Sequence, residues 1–192
     1  MRVCVFCGSS SGLNPAFAMA ARALARELAS RELEVVYGGG NVGLMGILAD
    51  AALAAGGRVI GVIPHALVTR ELAHQGLTAL HVVDSMHERK ALMASLADGF
   101  IALPGGFGTL EEFCEAVTWT QLGVHAKPCG LLNVAGFYDG LLAFLEHALA
   151  EEFLRPTHRE IVVSDSDPAA LIARVIGWRA PSIPKWIDRI EA

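Results

Sequence analysis

Phe100-Ile101-Ala102-Leu103-Pro104-Gly105-Gly106-Phe107-Gly108-Thr109-Leu110-Glu111-Glu112 passes from an apolar run through a glycine-rich turn into a segment of helical character. That order is a buried strand, a tight loop and a helix start. Glycines let the backbone turn sharply and approach a ligand with no Cβ in the way, and amides at a helix start point at any anion placed there. The stretch therefore reads as a phosphate cradle with acids beside it. Glu111 and Glu112 are expected in the first helical turn, where the helix dipole alone favours an acid by about 0.3–1 kcal/mol. Adjacent helical residues point about 100° apart, so at most one of the two aims squarely at a crevice; spacing does not choose between them.

Working outward, the same alternation repeats along the chain. Strand-like runs at 2–6, 33–37, 80–83, 100–103 and 129–133 are followed by helix-like runs at 15–30, 43–55, 85–97, 109–121 and 137–151, with a strand-like run at 58–63 leading into a less regular stretch. A last strand at 161–163 and a last helix at 168–176 complete the pattern, and 181–186 reads as extended, with an aromatic residue and no assigned role. Apolar strands alternating with helices predict an α/β fold: a doubly wound, Rossmann-like parallel sheet with helices on both faces, its ligands bound where strand ends meet helix starts. With 192 residues and 53% hydrophobic content, the chain is expected to form a single domain, 1–192.

Composition excludes several classes. The formal charge is −5 and no basic run exceeds Arg89-Lys90, which argues against nucleic acid or an anionic membrane as partner. The first residues form a short apolar strand rather than a signal segment, and no stretch is apolar enough to span a bilayer, so a cytoplasmic protein is expected. Of four cysteines, Cys4 and Cys7 have a metal-like spacing, but no second pair accompanies them. Three apart in a strand they face opposite ways, and they are read as buried small side chains. The seven histidines show no ligand spacing, and His87, the one near the proposed site, is read as a hydrogen-bonding or packing group. No metal and no cofactor are expected.

Two further strand-to-helix loops carry glycines. Cys7-Gly8-Ser9-Ser10-Ser11-Gly12 offers small residues and hydroxyls that suit an anion or a plain turn and cap. Gly38-Gly39-Gly40-Asn41-Val42-Gly43 contains a formal G-x-G-x-x-G, but the acid that would bind a ribose is missing after the next strand, and a tight turn is the favoured reading. No Walker motif occurs. Met86-His87-Glu88-Arg89-Lys90 opens the helix after the fourth apparent strand. An Arg-Lys pair alone is most often solvated surface, yet here it adjoins the glycine cradle, so Arg89 and Lys90 are expected to face the same crevice. Arginine offers a planar fork to phosphate or ribose oxygens and holds a neighbouring carboxylate ionised by lowering its pKa.

Met86-His87-Glu88-Arg89-Lys90, the complete P-G-G-x-G-T-x-x-E of Pro104 to Glu112, Thr118-Trp119-Thr120-Gln121-Leu122-Gly123 and Lys127-Pro128 together resemble the Lonely Guy family, cytokinin riboside 5'-monophosphate phosphoribohydrolases once labelled lysine decarboxylases. The resemblance runs from Cys7-Gly8-Ser9-Ser10 to about Phe153 and weakens beyond it. It implies cleavage of the N-glycosidic bond between adenine, often N6-prenylated, and ribose 5-phosphate. It also implies Arg89 and Glu112 as the catalytic pair and a homodimer with the site close to the subunit interface. Substrate contacts are carried onto Glu71, Lys90, Gly106, Phe107, Gly108, Thr109, Leu110, Glu111 and Thr118. The loop readings add Gly8, Ser9 and Gly105 on the phosphate side, and Met86 as a candidate apolar wall for the base.

Ribosyl cleavage passes through an oxocarbenium-like state that an ionised carboxylate stabilises, which suits Glu112. Whether Glu112 also activates water is left open. So is the proton donor to the base, for which Glu71, Asp84, Glu111 and Glu115 are candidates. AMP and prenylated AMP both remain substrates on this reading, since Met86, Leu92, Met93 and Trp119 suit a core as well as a prenyl pocket. Two other classes stay open: a non-catalytic carrier of a phosphorylated pterin or nucleotide such as molybdenum cofactor, and a pyridoxal-phosphate decarboxylase drawing on Lys90, Lys127 or Lys185.

Overall fold

Local sequence explains where the helices begin. In the computed structural model, which describes residues 1–68 and 73–180, helix α1 (Pro15–Ser30) starts behind Asn14, whose side chain accepts from the Ala16 amide, with Pro15 in the first turn. Helix α2 spans Gly43–Ala54 and the short α3 His65–Val68. Helix α4 (Met86–Leu96) is capped by Ser85, which accepts from the Glu88 amide at 3.1 Å while Glu88 reaches back to the Asp84 amide, a capping-box exchange displaced by one residue. Helices α5 (Phe107–Gln121), α6 (Asp139–Ala150), α7 (Pro156–Arg159) and α8 (Pro168–Gly177) follow, α8 capped by Asp167.

Strands β1 (Arg2–Phe6), β2 (Glu34–Tyr37), β3 (Val59–Pro64), β4 (Ala79–Val83), β5 (Gly99–Ala102), β6 (Cys129–Leu132) and β7 (Val162–Asp165) form one parallel sheet in the order β4-β3-β2-β1-β5-β6-β7. The chain starts in the middle, winds outward to β4, returns to place β5 against β1 (Cys4 opposite Phe100), and winds out the other way. Side-chain alternation divides the core in two. Val3, Val5, Ile101 and Leu103 face α1, α2 and α8, whereas Cys4, Phe6, Phe100 and Ala102 face α4, α5 and α6. This is the doubly wound α/β fold expected from the alternation. No helix among the described residues is long and apolar enough to cross a membrane.

Two helix starts and one unassigned helix depart from the sequence reading, each for a local reason. Helix α5 begins at Phe107 rather than Thr109, because Gly106 in extended conformation already serves as its N-cap. Glu111 and Glu112 therefore stand in the second turn, and the first turn holds no acid, which corrects the dipole argument for them. The run from 137 is preceded by a 3-10 turn, Val134–Gly136, that contains Ala135 at φ 51°, so α6 starts only at Asp139. Helix α7 is short enough that its few residues carry no readable period. The segment 181–186 lies outside the described residues.

Candidate active site

The reversal of winding direction between β1 and β5 makes the loops that follow these strands diverge, and doubly wound sheets bind ligands in the crevice so formed. Here the two loops are stitched at their base: the Gly8 amide donates to the Pro104 carbonyl at 3.1 Å and the Leu103 amide to Phe6. Gly105 permits the close crossing. A Cβ on it would lie 2.1 Å from Thr109 Oγ1 and 2.9 Å from the Gly8 nitrogen. Helices α1, α4 and α8 close their first turns with Asn14, Ser85 and Asp167, but no side chain caps α5. Its N-terminus instead opens on a crevice of about 310 Å³ lined by Gly8, Ser9, Gly106, Phe107, Gly108 and Thr109. Amides and a positive dipole end are thus offered to an anion. A second chamber of about 280 Å³ continues past Gly8, Ser9 and Gly106 to Ser10, Ser11, Gly105 and the apolar walls Phe17, Leu44 and Phe137.

Arg89 and Glu112 meet on the floor of the crevice. Arg89 is only 8% exposed; its Nε donates to the Val62 carbonyl at 3.1 Å and its Nη1 to Glu112 Oε1 at 2.8 Å. The guanidinium lies where a side chain at Gly38 would be, since a Cβ there would stand 1.9 Å from Nη2. The first glycine of the formal dinucleotide motif thus serves Arg89. Sequence reasoning missed this; the triple glycine was the available signal, but it says nothing of which distant side chain fills the gap. Cys7, Met45 and Leu67 also line the crevice without having been singled out for it.

Burial pushes the Glu112 carboxyl above the usual carboxylate range, and the Arg89 charge pulls it back only in part, with Glu111 adding to the rise. Arg89 does lower it, as expected, but desolvation outweighs the ion pair and the net shift is upward. The Cys7 thiol beside it is pushed up by burial and by Glu112, and stays neutral.

Several expected contacts do not reach the crevice. Lys90 turns instead to Glu111 and to Glu115, the latter at 3.1 Å, between α4 and α5. Leu110 packs against the second core. Met86 is 47% exposed at the start of α4, and Thr118 is exposed and returns its hydroxyl to the Cys114 carbonyl. Glu71 lies outside the described residues. Met93 is buried in the core and Leu92 and Trp119 pack on it. Among the described residues, no lysine at the crevice suits a pyridoxal phosphate. Lys90 is raised in pKa by its carboxylate partners and Lys127 donates to the Ala94 carbonyl at 2.7 Å, whereas a Schiff-base lysine needs a lowered pKa at the site. Lys185 lies outside the described residues.

Residues 45–175 match the family model described as possible lysine decarboxylase. A probable cytokinin riboside 5'-monophosphate phosphoribohydrolase of Oryza sativa subsp. japonica is 52% identical over 174 residues, 91% of this chain and 77% of the relative. A cytokinin riboside 5'-monophosphate phosphoribohydrolase of Arabidopsis thaliana is 50% identical over 91% of this chain and 81% of its own length. Among solved structures, the molybdenum cofactor carrier protein of Chlamydomonas reinhardtii superposes with a TM-score of 0.68 at 21% identity, covering 91% of this chain and 95% of the carrier. The molybdenum cofactor binding protein of Rippkaea orientalis gives 0.69 at 24% identity, over 91% and 96%. These structural likenesses concern the fold. Identity near one half along nine-tenths of the length says more, and by it the chain belongs to the Lonely Guy family, the group whose model carries the decarboxylase description and whose plant members are the phosphoribohydrolases.

Proposed function

We propose that the protein hydrolyses the N-glycosidic bond of adenosine 5'-monophosphate or its N6-substituted forms, releasing the free base and ribose 5-phosphate. One observation carries the reading: a buried arginine–carboxylate pair, Arg89 Nη1 to Glu112 Oε1 at 2.8 Å, opening on a crevice roofed by an uncapped helix N-terminus. The 5'-phosphate sits on the amides of residues 105–109 with Gly8 and Ser9. This puts the ribose over Glu112. As the C1'–N9 bond lengthens, positive charge grows at C1' and the ring oxygen, and the Glu112 carboxylate stabilises it in surroundings that screen little. Water then adds to C1' and gives one proton to Glu112, which returns it to solvent, while the departing base takes a proton from solvent, so that one water is consumed for each bond broken. Arg89 holds Glu112 in place and offsets part of the effect of burial on its charge.

The names of the plant relatives support this substrate class, and the carrier reading has the fold likeness alone. The test incubates the protein with AMP, with N6-prenylated AMP and with both dephosphorylated ribosides, and assays free base and ribose 5-phosphate. Release from a monophosphate and not from its riboside is expected; release from neither monophosphate refutes the hydrolase. The same reading includes a homodimer, supported by large apolar side chains standing in solvent at both ends of α5, Phe107 93% and Leu122 64% exposed. Sedimentation at micromolar concentration should give twice the chain mass. A cytoplasmic location is supported by four free thiols.

A further inference from the structure

We propose that His74 is a positioning residue for Arg89: its imidazole pins residues 73–76 against the triple-glycine loop 38–40, and that loop is the wall on which the Arg89 guanidinium rests. The inference rests on the hydrolase reading above and adds a residue that the sequence reading did not single out. His74 is buried, and both of its ring nitrogens are engaged. Nδ1 accepts from the Gly76 amide at 3.0 Å. An amide can only donate, so Nδ1 carries the lone pair and the ring proton is left on Nε2, which stands 3.0 Å from Asp50 Oδ1 on α2. The main chain completes the attachment: the His74 amide donates to the Gly39 carbonyl at 3.0 Å, and Ala73 pairs with Gly40 as an isolated antiparallel bridge.

The step from His74 to Arg89 runs through backbone. A Cβ on Gly38 would stand 1.9 Å from Arg89 Nη2, so the guanidinium lies directly on the loop. Three consecutive glycines have no side chains to hold them and the greatest backbone freedom of any residue, so the place of this wall is set from outside. Gly61 of β3 supports it, since a Cβ there would lie 2.9 Å from the Gly39 Cα, and the Tyr37 hydroxyl donates to the Gly40 carbonyl at 3.1 Å. Residues 73–76 supply the remaining bonds, and the Asp50–His74 contact fastens them to α2. The same helix receives the other side of the crevice, because the Leu44 amide donates to the Gly8 carbonyl at 3.0 Å. Without the imidazole, the segment, the glycine loop and the seat of Arg89 loosen together, and the bond from Arg89 to Glu112 loses its fixed geometry. Misplacing a catalytic group by about 1 Å can lower turnover about a hundredfold.

The experiment compares wild type, His74→Phe, His74→Asn, Asp50→Ala and Trp178→Phe by two readouts: hydrogen exchange of the Arg89 Nε–H, followed by 15N NMR in the substrate-free protein, and kcat and KM for AMP. His74→Phe keeps a ring and removes both of its bonds. It should speed the Arg89 exchange by about tenfold or more, lower kcat by roughly 10- to 100-fold and leave KM within about threefold. His74→Asn offers an oxygen to the amide two residues on, as an Asx turn does, and should recover most of the kcat and slow the exchange again. Asp50→Ala changes a largely exposed side chain on a helix; it should speed the exchange by about threefold and is the decisive arm if the phenylalanine variant fails to fold. Trp178→Phe loses a 3.1 Å bond to the Glu160 carbonyl at the far edge of the sheet and should leave the Arg89 exchange unchanged. Arg89 exchange at the wild-type rate in the folded His74 and Asp50 variants overturns the proposal, as does equal acceleration in Trp178→Phe, which would mark a loss of overall stability. The exchange needs no turnover, so a wild type that releases no base refutes the hydrolase reading while the NMR arm still decides this one.

Discussion

Gly38→Ala tests whether the site depends on space reserved for one guanidinium. The added Cβ would stand 1.9 Å from Arg89 Nη2 and 3.1 Å from Cζ. Non-bonded carbon and nitrogen settle near 3.5 Å, so the tip must retreat by about 1.5 Å. A surface arginine would swing aside at little cost. This one is 8% exposed and engaged at Nε by Val62 and at Nη1 by Glu112, so the retreat breaks the 2.8 Å bond to the carboxylate. A hydrogen bond to a charged group contributes about 1.5–3 kcal/mol. At 1.36 kcal/mol per factor of ten, kcat/KM for AMP should fall by roughly 10- to 160-fold, and a folded chain of this size should melt about 3–12 °C lower. Base release measured chromatographically and a thermal melt followed by circular dichroism read the two effects. The control is Gly140→Ala, where a Cβ meets nothing within 4 Å; inside α6 it should be neutral or stabilising by up to about 1 kcal/mol. Activity within about threefold of wild type, with an unchanged melting point, would show that Arg89 does not need this space and that its seat has been misread.

Glu112→Gln keeps shape and removes charge, so kcat should drop by at least about a hundredfold with little change in KM; equal loss in both would mean a binding role. Because burial raises the Glu112 pKa and the ionised form is the active one, kcat/KM should rise with pH through a midpoint above the ordinary carboxylate range. In any residual activity of Arg89→Ala that limb should lie higher still, and a limb moved to lower pH contradicts the assigned electrostatics. Cys4, Cys7 and Cys129 are buried with thiols pushed up, Cys129 to about 12, while Cys114 is exposed. A disulfide reagent should titrate one thiol in the native protein and four after denaturation. Glu34 bridges Arg2 at 2.7 Å and Arg58 at 2.6 Å across the start of the sheet, and these cations lower its pKa. Its stabilisation is present above the unfolded-state pKa and lost as pH falls through the lowered one. Glu34→Gln should therefore cost up to about 1 kcal/mol at neutral pH and nothing once the pH is well below the lowered pKa, as chemical denaturation in both ranges would show.

What the sequence made legible was whatever depends on neighbours in the chain. The apolar run 100–103 feeding three glycines marks a strand and its turn because periodicity and glycine chemistry are local, and β5 and α5 lie within a few residues of that reading. Two separate βα units predicted that Arg89 and Glu112 share a crevice, and parallel topology does bring them together. Three things were not legible. Gly38 is a glycine because of a side chain fifty-one residues away, and no window contains both. The direction of the Glu112 shift depends on how much water the folded core removes. The outcome for Lys90 turns on helical phase: consecutive residues of α4 point about 100° apart, so Arg89 and its neighbour leave the helix in different directions. Spacing excluded Glu111 and Glu112 from sharing a direction, and the same rule holds for Arg89 and Lys90.

An ion pair as buried as Arg89–Glu112 is poor value for stability, since taking both charges out of water offsets most of their attraction, and apolar residues of similar volume often hold a fold as well or better. Every neighbouring feature nonetheless supports the pair. Gly38 gives up a side chain for it, Val62 accepts from the guanidinium, and Lys90 neutralises the acids that would push Glu112 further toward protonation. The anion seat formed by residues 105–109 needs none of this, because helix amides hold a phosphate without an acid close by. A protein that only bound a nucleotide would gain from replacing Glu112, whose negative charge lies on the floor of a crevice meant for an anion. Retaining it is favourable where positive charge appears during a reaction, at a ribose carbon held over the carboxylate by its phosphate. On that argument Glu112→Gln should bind AMP at least as tightly as wild type while losing turnover, and calorimetry showing weaker binding in the variant would contradict it.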